Sequence, residues 1–546
     1  MQHTPLLMRQ LVERGAKVAP NEEIVTATAT GTKSQTYKET RNRAHQLAHA
    51  LADAGVKVGD RVGTLMWNNA RHLEAYYAVS CMGAVLHTLN VRLSETDLQY
   101  IINHAGDKAM IVDVDVLPLL EKMVGKIPTV KHVIVATEEG FEGWKTKLPN
   151  AVDYEAFIKE KKTTYDWPDI DENSPLGLCY TSGTTGRPKG VMYEHRAQYV
   201  HTITAAMTDV LSLSATDSIF PIVPMFHAMA WGIPWVALML GAKQVLPHRF
   251  MASDNLATLI SKEEVTIAIG VPTIWDEMKP VIASDRKKYD FSKAERFVCG
   301  GSAPSKSLIH WYYETLGVEF LQGFGMTETS PIVLISRRIM KRSQLKLSLD
   351  EQLANISKTG IALAGLDVEA VDKDFNPLPH DGKSAGEFLI RGPWITDKYY
   401  KESHPDAFHN DWLRTGDVIT IDADEYVVIT DRMKDLIKSG GEWISSSDLE
   451  SAIEEVDGIM ETCVVAQPHP KWDERPVALV VLEKGAKVTP DEIRTHLLKT
   501  FAKWQLPDDF LFVDSIPTLG TGKMDKTTVK ANLLKEHYVL PDLRKK

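Results

Sequence analysis

Between residue 36 and about residue 135, helix-length stretches that put apolar residues on one face, such as 40–54, alternate with short apolar runs such as 61–66 and 108–112. A helical period that switches repeatedly to compact apolar runs predicts strands covered by crossover helices, an α/β layering. The same alternation resumes in the runs 244–247, 266–271, 296–299 and 319–322, each bounded by Gly or Pro and separated by helix-length segments. The simplest architecture for it is a mostly parallel sheet with helices on both faces.

Between about residues 358 and 430 the texture changes to short β-rich runs broken by turn signals, such as Asp374-Phe-Asn-Pro-Leu-Pro and Ile421-Asp-Ala-Asp-Glu. A small β subdomain is therefore expected at about 345–431. After Asp431-Arg-Met-Lys434 a new unit begins, with a capping box expected at Ser447 and Glu450, a second at Thr489 and Glu492 with Pro490 at the first helical position, and strands near Cys463 and Val477. This predicts a C-terminal α+β domain at 435–546, with 432–434 joining it to residues 1–431.

Composition narrows the class. With 546 residues and 44% hydrophobic content the chain has enough apolar material for several cores. Its 62 basic and 73 acidic residues are interspersed, for a formal charge of −11, which argues against nucleic acid as a partner. Four cysteines stand far apart with no CxxC pair, so neither a zinc ribbon nor a disulfide scaffold is expected. The first twenty residues lack the basic start and apolar core of a signal peptide. The most apolar window, 231–242, contains Gly232 and Pro234 and falls short of the roughly 20 residues a membrane span needs. The expectation is a cytoplasmic protein with no membrane span.

The chemistry is concentrated first in one loop. Leu176-Gly-Leu-Cys-Tyr180 is an apolar run fit for a buried strand, and it feeds into Thr181, Ser182, Gly183, Thr184, Thr185 and Gly186, followed by Arg187 and Lys189. Glycines let backbone N–H groups converge on an anion, hydroxyls add donors, and the cations offset phosphate charge. A flexible linker has the same composition, but not the preceding strand or the Arg-Pro-Lys-Gly ending. Neither GxxxxGK[ST] nor GxGxxG spacing is present, so ordinary P-loop and dinucleotide readings fail.

Downstream stand Pro224-Met-Phe-His227, Gly300-Gly-Ser-Ala-Pro304, Gln322-Gly-Phe-Gly-Met-Thr-Glu-Thr329, Trp412-Leu-Arg-Thr-Gly-Asp417, Asp431-Arg-Met-Lys-Asp-Leu-Ile-Lys438 and Gly520-Thr-Gly-Lys523. This ordered set, spanning nearly the whole chain, resembles the adenylate-forming superfamily of acyl-CoA synthetases, peptide-synthetase adenylation domains and beetle luciferases. The resemblance implies a large N-terminal domain of layered α/β subdomains plus a small β-barrel, followed by a mobile small α+β domain turning on a hinge at Lys434. It implies ATP, Mg²⁺ and coenzyme A as cofactors and co-substrates, and a small carboxylic acid as substrate. Family members often dimerise, but no homodimer interface is readable here.

Residue by residue, the resemblance assigns Lys523 to bridge the carboxylate and the α-phosphate, Thr327 to the phosphate, and Glu328 with Thr184 to the metal. In isolation a helix cap and its first-turn acid account for Thr327 and Glu328 better, and only the surrounding Gly323-Phe-Gly-Met favours the phosphate and metal roles. Gly301, Ser302, Ala303 and Pro304 would flank the adenine together with Gly323, Phe324, Gly325 and Met326. The family usually has Tyr where this chain has Phe324, a ring that can still stack but lacks the hydroxyl. Asp417, with Arg432 beside it, would accept from the ribose hydroxyls. Lys438, Gly440, Gly441, Glu442 and Trp443 would form a second face, used when CoA attacks.

His227, Trp231 and Trp235 lie where family members line the acyl channel. The two indoles share a helix face only if one helix covers both, which Gly232 and Pro234 make doubtful, and indoles here are more often core. Large aromatics would shorten a channel they reach. Ser439-Gly-Gly-Glu-Trp-Ile-Ser445 and Gly241-Ala-Lys-Gln-Val-Leu-Pro247 look like the medium- and long-chain fatty-acid branch. The resemblance within it implies 3-methylmercaptopropionate, a short thioether acid of dimethylsulfoniopropionate breakdown, with medium- or long-chain fatty acids as alternatives. An enzyme loading a carrier protein would need a carrier domain or partner, and the chain runs only to Lys546 after Lys523. A luciferase-like oxygenase has no sequence feature of its own here, and a non-catalytic nucleotide binder would be expected to have lost Lys523, Glu328 or Asp417.

Overall fold

The computed structural model describes residues 1–138, 141, 143–148, 150–181, 187–439, 442–518 and 524–535. Packing divides the chain into two compact units, Met1–Asp367 with Arg391–Leu413, and Val368–Ile390 with Arg414–Lys546.

In the first unit the predicted alternation is present, but it builds two sheets rather than one. The run 61–66 is the strand Arg61–Leu65 and the run 108–112 is Ala109–Asp113; both belong to a seven-stranded sheet ordered Ala151–Asp153, His132–Ala136, Ala109–Asp113, Arg61–Leu65, Val85–Thr88, Pro175–Tyr180, Gly190–Glu194. All its pairings are parallel except the last. The runs from 244 to 322 belong instead to a nine-stranded sheet whose central strands Lys243–Leu246, Ser218–Pro221, Ile267–Gly270, Arg296–Gly300 and Glu319–Gly325 are parallel. Periodicity reports strands and helices, not which sheet a strand joins. Buried Asn68, after Arg61–Leu65, ties the two sheets: its amide donates to the carbonyls of Pro221 and Val223 at 2.8 Å.

The β texture starts later than expected. Residues placed at the start of the β subdomain instead form the helix Leu349–Ile356, because Ser348 and Glu351 make a reciprocal capping box. Ile361–Ala362 then joins the nine-stranded sheet. Strand structure of the separate kind begins with Asp367–Val371 and continues through Gly386–Arg391, Trp412–Ile421 and Val427–Arg432.

The second unit also holds a sheet ordered Glu442–Ile444, Ile437–Ser439, Asp473–Leu482, Ile459–His469, with Asp509–Phe512 parallel to Asp473–Leu482. The Thr489 and Glu492 capping box forms, with Pro490 at the helix start. The one expected at Ser447 and Glu450 does not. Ser445 caps the helix Ser446–Glu454, and Glu450 turns inward to meet Lys526 Nζ at 2.8 Å. Three consecutive serines offer three capping phases, and the buried lysine decides among them.

All four cysteines are buried and free. No helix among the described residues is long and apolar enough to cross a membrane.

Candidate active site

The signature loop is the hairpin between Pro175–Tyr180 and Gly190–Glu194. Ser182, Gly183, Thr184, Thr185 and Gly186 lie outside the described residues, but the base of the loop is closed on both sides. Thr181 N–H donates to the Lys189 carbonyl at 2.9 Å, and Lys189 N–H donates back to Thr181 Oγ1 at 3.1 Å. Flanking aromatics brace it further: His104 Nδ1 is 2.8 Å from the Tyr180 hydroxyl, and the Arg187 guanidinium lies over the Tyr100 ring at 5.2 Å.

Thr327 and Glu328 sit in a 3₁₀ turn, Thr327–Thr329, directly after the strand Glu319–Gly325. Both are buried. The Thr327 carbonyl accepts from the Tyr193 hydroxyl at 2.8 Å, which ties this turn to the strand leaving the signature loop. Glu328 Oε1 accepts from the Tyr399 hydroxyl at 2.8 Å, and Lys189 Nζ stands 4.8 Å from the centre of the same ring. The loop lysine and the turn acid, 139 residues apart, thus share one tyrosine. Burial and the Glu328 carboxylate both raise the Tyr399 phenol above its ordinary range, so it stays a proton donor. Tyr399 belongs to none of the motifs that point to the chemistry.

The glycines of 300–304 and 323–325 have specific causes. Gly325 must be glycine because a Cβ there would come within 2.1 Å of the Pro331 carbonyl oxygen. At Gly300 a Cβ would meet the Trp231 indole at 2.8 Å, so the 300–304 turn and the proposed acyl region are in contact. Gly301, Ser302 and Ala303 are exposed beyond the end of Arg296–Gly300, at the carboxyl edge of parallel strands where α/β sheets bind ligands. Phe324 and Met326 are half-buried alongside.

Trp231 owes its place to unusual backbone. Ala228, Met229, Ala230, Trp231 and Gly232 all have positive φ, from 41° to 76°, a left-handed turn costing roughly 1–2 kcal/mol per non-glycine residue. It persists because the approach is pinned: Met225 N–H donates to Asn68 Oδ1 at 2.6 Å, and Tyr76 donates to the Met225 carbonyl. Gly232 ends the turn against the His201 ring and caps the helix Ile233–Leu240, with Pro234 in its first turn. One helix therefore does not cover both indoles. Trp235 is fully buried against Tyr76, a core side chain and not an exposed channel wall. Half-buried His227 precedes the turn.

In the second unit Asp417 and Arg432 are cross-strand partners, with Arg432 Nε 3.3 Å from Asp417 Oδ1. Asp417 is buried, whereas Arg432 is exposed. Lys438 faces Trp443 across the hairpin of Ile437–Ser439 and Glu442–Ile444, whose Gly440 and Gly441 lie outside the described residues. Lys438, Glu442 and Trp443 are exposed, and Lys438 Nζ is 3.6 Å from Asp473 Oδ2. Lys434 is exposed in a turn where its carbonyl accepts from Lys530 Nζ, and partial desolvation by the surrounding chain lowers its ammonium pKa. Lys523 lies outside the described residues. Its flanks are held by a bridge between Thr518 and Met524 and by Lys526, which donates to Ser446 Oγ at 2.7 Å.

Residues 12–400 match the AMP-binding enzyme family, and residues 448–523 match the AMP-binding enzyme C-terminal domain. The chain is 44% identical to a long-chain-fatty-acid–CoA ligase of Thermus thermophilus over 86% of this chain and 84% of that protein. It is 39% identical to a 3-methylmercaptopropionyl-CoA ligase of Ruegeria lacuscaerulensis over 97% and 98%. In fold it matches the anthranilate CoA ligase AuaEII with a TM-score of 0.85 at 24% identity, covering 97% of this chain and 99% of that one. With both family regions matched in order and relatives of this identity covered over most of their length, the chain belongs to the AMP-binding enzymes, as an AMP-forming acyl-CoA ligase that uses ATP and coenzyme A.

Proposed function

We propose that the acid this ligase activates is 3-methylmercaptopropionate, and that the residues divide between two half-reactions. A carboxylate is a poor acyl donor because attack would expel oxide; joining it to AMP supplies a good leaving group. In the first half-reaction the carboxylate attacks the α-phosphorus of ATP and pyrophosphate departs. The signature loop from Thr181 to Lys189 holds the departing phosphates, Thr327 the α-phosphate, and Lys523 offsets the two anions that must meet. Asp417 and Arg432 hold the ribose, while Gly301 to Pro304 and Phe324 flank the adenine.

Glu328 suits Mg²⁺ in the way nucleotide enzymes use it, one carboxylate with substrate phosphates and water supplying the rest. Tyr399 occupies one of its oxygens and a carboxylate has lone pairs to spare. When bound, the ion would neutralise phosphate charge. In the second half-reaction the CoA thiol attacks the acyl carbonyl and AMP leaves. Lys523 and Lys438 both belong to the C-terminal part and serve different steps, so that part must turn about Lys434 between them.

The observation that carries the substrate reading is the Trp231 indole seated on Gly300. An indole fixed by a strained turn shortens an acyl channel, and a thioether packs well against ring edges. The near full-length likeness to a 3-methylmercaptopropionyl-CoA ligase agrees. The long-chain relative supports the second reading, a fatty-acid–CoA ligase. The test is CoA-dependent AMP formation with 3-methylmercaptopropionate, butyrate, octanoate and palmitate. The expected kcat/KM is highest for 3-methylmercaptopropionate, by about tenfold or more over palmitate, and Trp231→Ala should narrow that gap. A preference for octanoate or palmitate in the unaltered enzyme would replace this reading with the fatty-acid one. AMP formation without CoA but with a carrier protein would point to carrier loading.

A further inference from the structure

Four contacts of the segment from Thr396 to Tyr400 end on the two pieces of the phosphate site. Thr396 N–H donates to the Glu328 carbonyl at 2.9 Å, and Tyr400 N–H donates to the Gly190 carbonyl at 2.8 Å. Between them Tyr399 sends its hydroxyl to Glu328 Oε1 at 2.8 Å and its ring face to Lys189 Nζ at 4.8 Å. We propose that Tyr399 is a positioning residue that sets the Glu328 carboxylate and the Lys189 ammonium at a fixed spacing for metal-bound triphosphate, one through its hydroxyl and the other through its ring.

The two contacts differ in kind, which makes the role separable. An O–H bond to a carboxylate fixes which oxygen points outward, and at 7% exposure little water is available to replace it. The ring face only attracts the ammonium, so a phenyl group keeps that half of the function. Without either, the backbone bonds of Thr396 and Tyr400 and the Tyr193–Thr327 bond still join the two pieces, but none of them orients the Lys189 ammonium or the Glu328 carboxylate. A carboxylate free to rotate would still bind an ion, but would pay for orienting each time.

The inference rests on Glu328 being the metal-facing acid, so Glu328→Gln is measured alongside. The readouts are calorimetric ATP binding with and without Mg²⁺, pyrophosphate inhibition, thioester formation from supplied acyl-adenylate, and Tm. Tyr399→Phe should weaken the Mg²⁺-dependent part of ATP binding by about tenfold, with ATP binding in the absence of Mg²⁺ and thioester formation near unaltered values. Tyr399→Leu should show the same loss and also weaken pyrophosphate by about two- to fivefold. The proposal is overturned if Tyr399→Phe binds ATP with unaltered Mg²⁺ dependence while Glu328→Gln does not, or if Tyr399→Phe lowers thioester formation as much as Mg²⁺-dependent ATP binding, with a lowered Tm. Unaltered Mg²⁺ dependence in Glu328→Gln would overturn the reading of Glu328 and this proposal with it.

Discussion

Lys523→Ala should reduce carboxylate-dependent pyrophosphate release by about a hundred- to a thousandfold, while ATP binding stays measurable. The reasoning is electrostatic. A carboxylate and a triphosphate repel until a cation stands between them, and a charge needed only as they react is worth more in the transition state than in the ground state. Lys438→Ala should do the opposite, slowing thioester formation on the order of tenfold more than adenylation. That comparison is clean because Lys438 is exposed and pairs only loosely with Asp473, at 3.6 Å, a contact that contributes little to stability. Rapid-quench measurement of acyl-adenylate and acyl-CoA separates the steps. Equal damage to both half-reactions in either variant would sink the two-face division.

What the sequence made legible followed from local rules. The Thr489, Pro490 and Glu492 helix start formed because its parts lie within one turn, and the strand 175–180 was readable because an apolar run met a glycine-rich loop. Ser445 through Ser447 defeated the same rule, since three serines satisfy it and only the distant Lys526 chooses. The division into two sheets was not readable either, because it lies in pairings between strands distant in sequence, such as Val85–Thr88 with Pro175–Tyr180, and in the Asn68 amide that joins the sheets through carbonyls 153 and 155 residues away. Trp231 and Trp235 look alike in sequence, four residues apart; a left-handed turn sends one to Gly300 and leaves the other in the core. Tyr399 was invisible for the plainest reason. Its meaning lies in what it touches, Glu328 and Lys189, and neither is near it in the chain.

Arg475→Met should cost the C-terminal unit about 3–5 kcal/mol, the usual penalty for removing one partner of a buried ion pair. Every nitrogen of this guanidinium is engaged: Nε and Nη2 meet Asp508, Nη2 also donates to the Leu506 carbonyl at 3.0 Å, and Nη1 donates to the Trp504 carbonyl and to Ser439 Oγ at 3.0 Å. Removing it strands the partly buried Asp508 carboxylate and the buried Leu506 carbonyl. Lysine is no substitute, because a point charge cannot reproduce the fork. Asp508→Leu added to Arg475→Met should recover part of the loss, since it removes the orphaned charge. Denaturant unfolding followed by tryptophan fluorescence reads this, with the transition containing Trp504 moving and the other staying. The consequence reaches function through Ser439, which stands beside Lys438 in the same strand. Arg475→Lys, below its melting temperature, should therefore lower thioester formation more than adenylation; an unaltered ratio would mean that the fork holds the fold and not the orientation of the Lys438 hairpin.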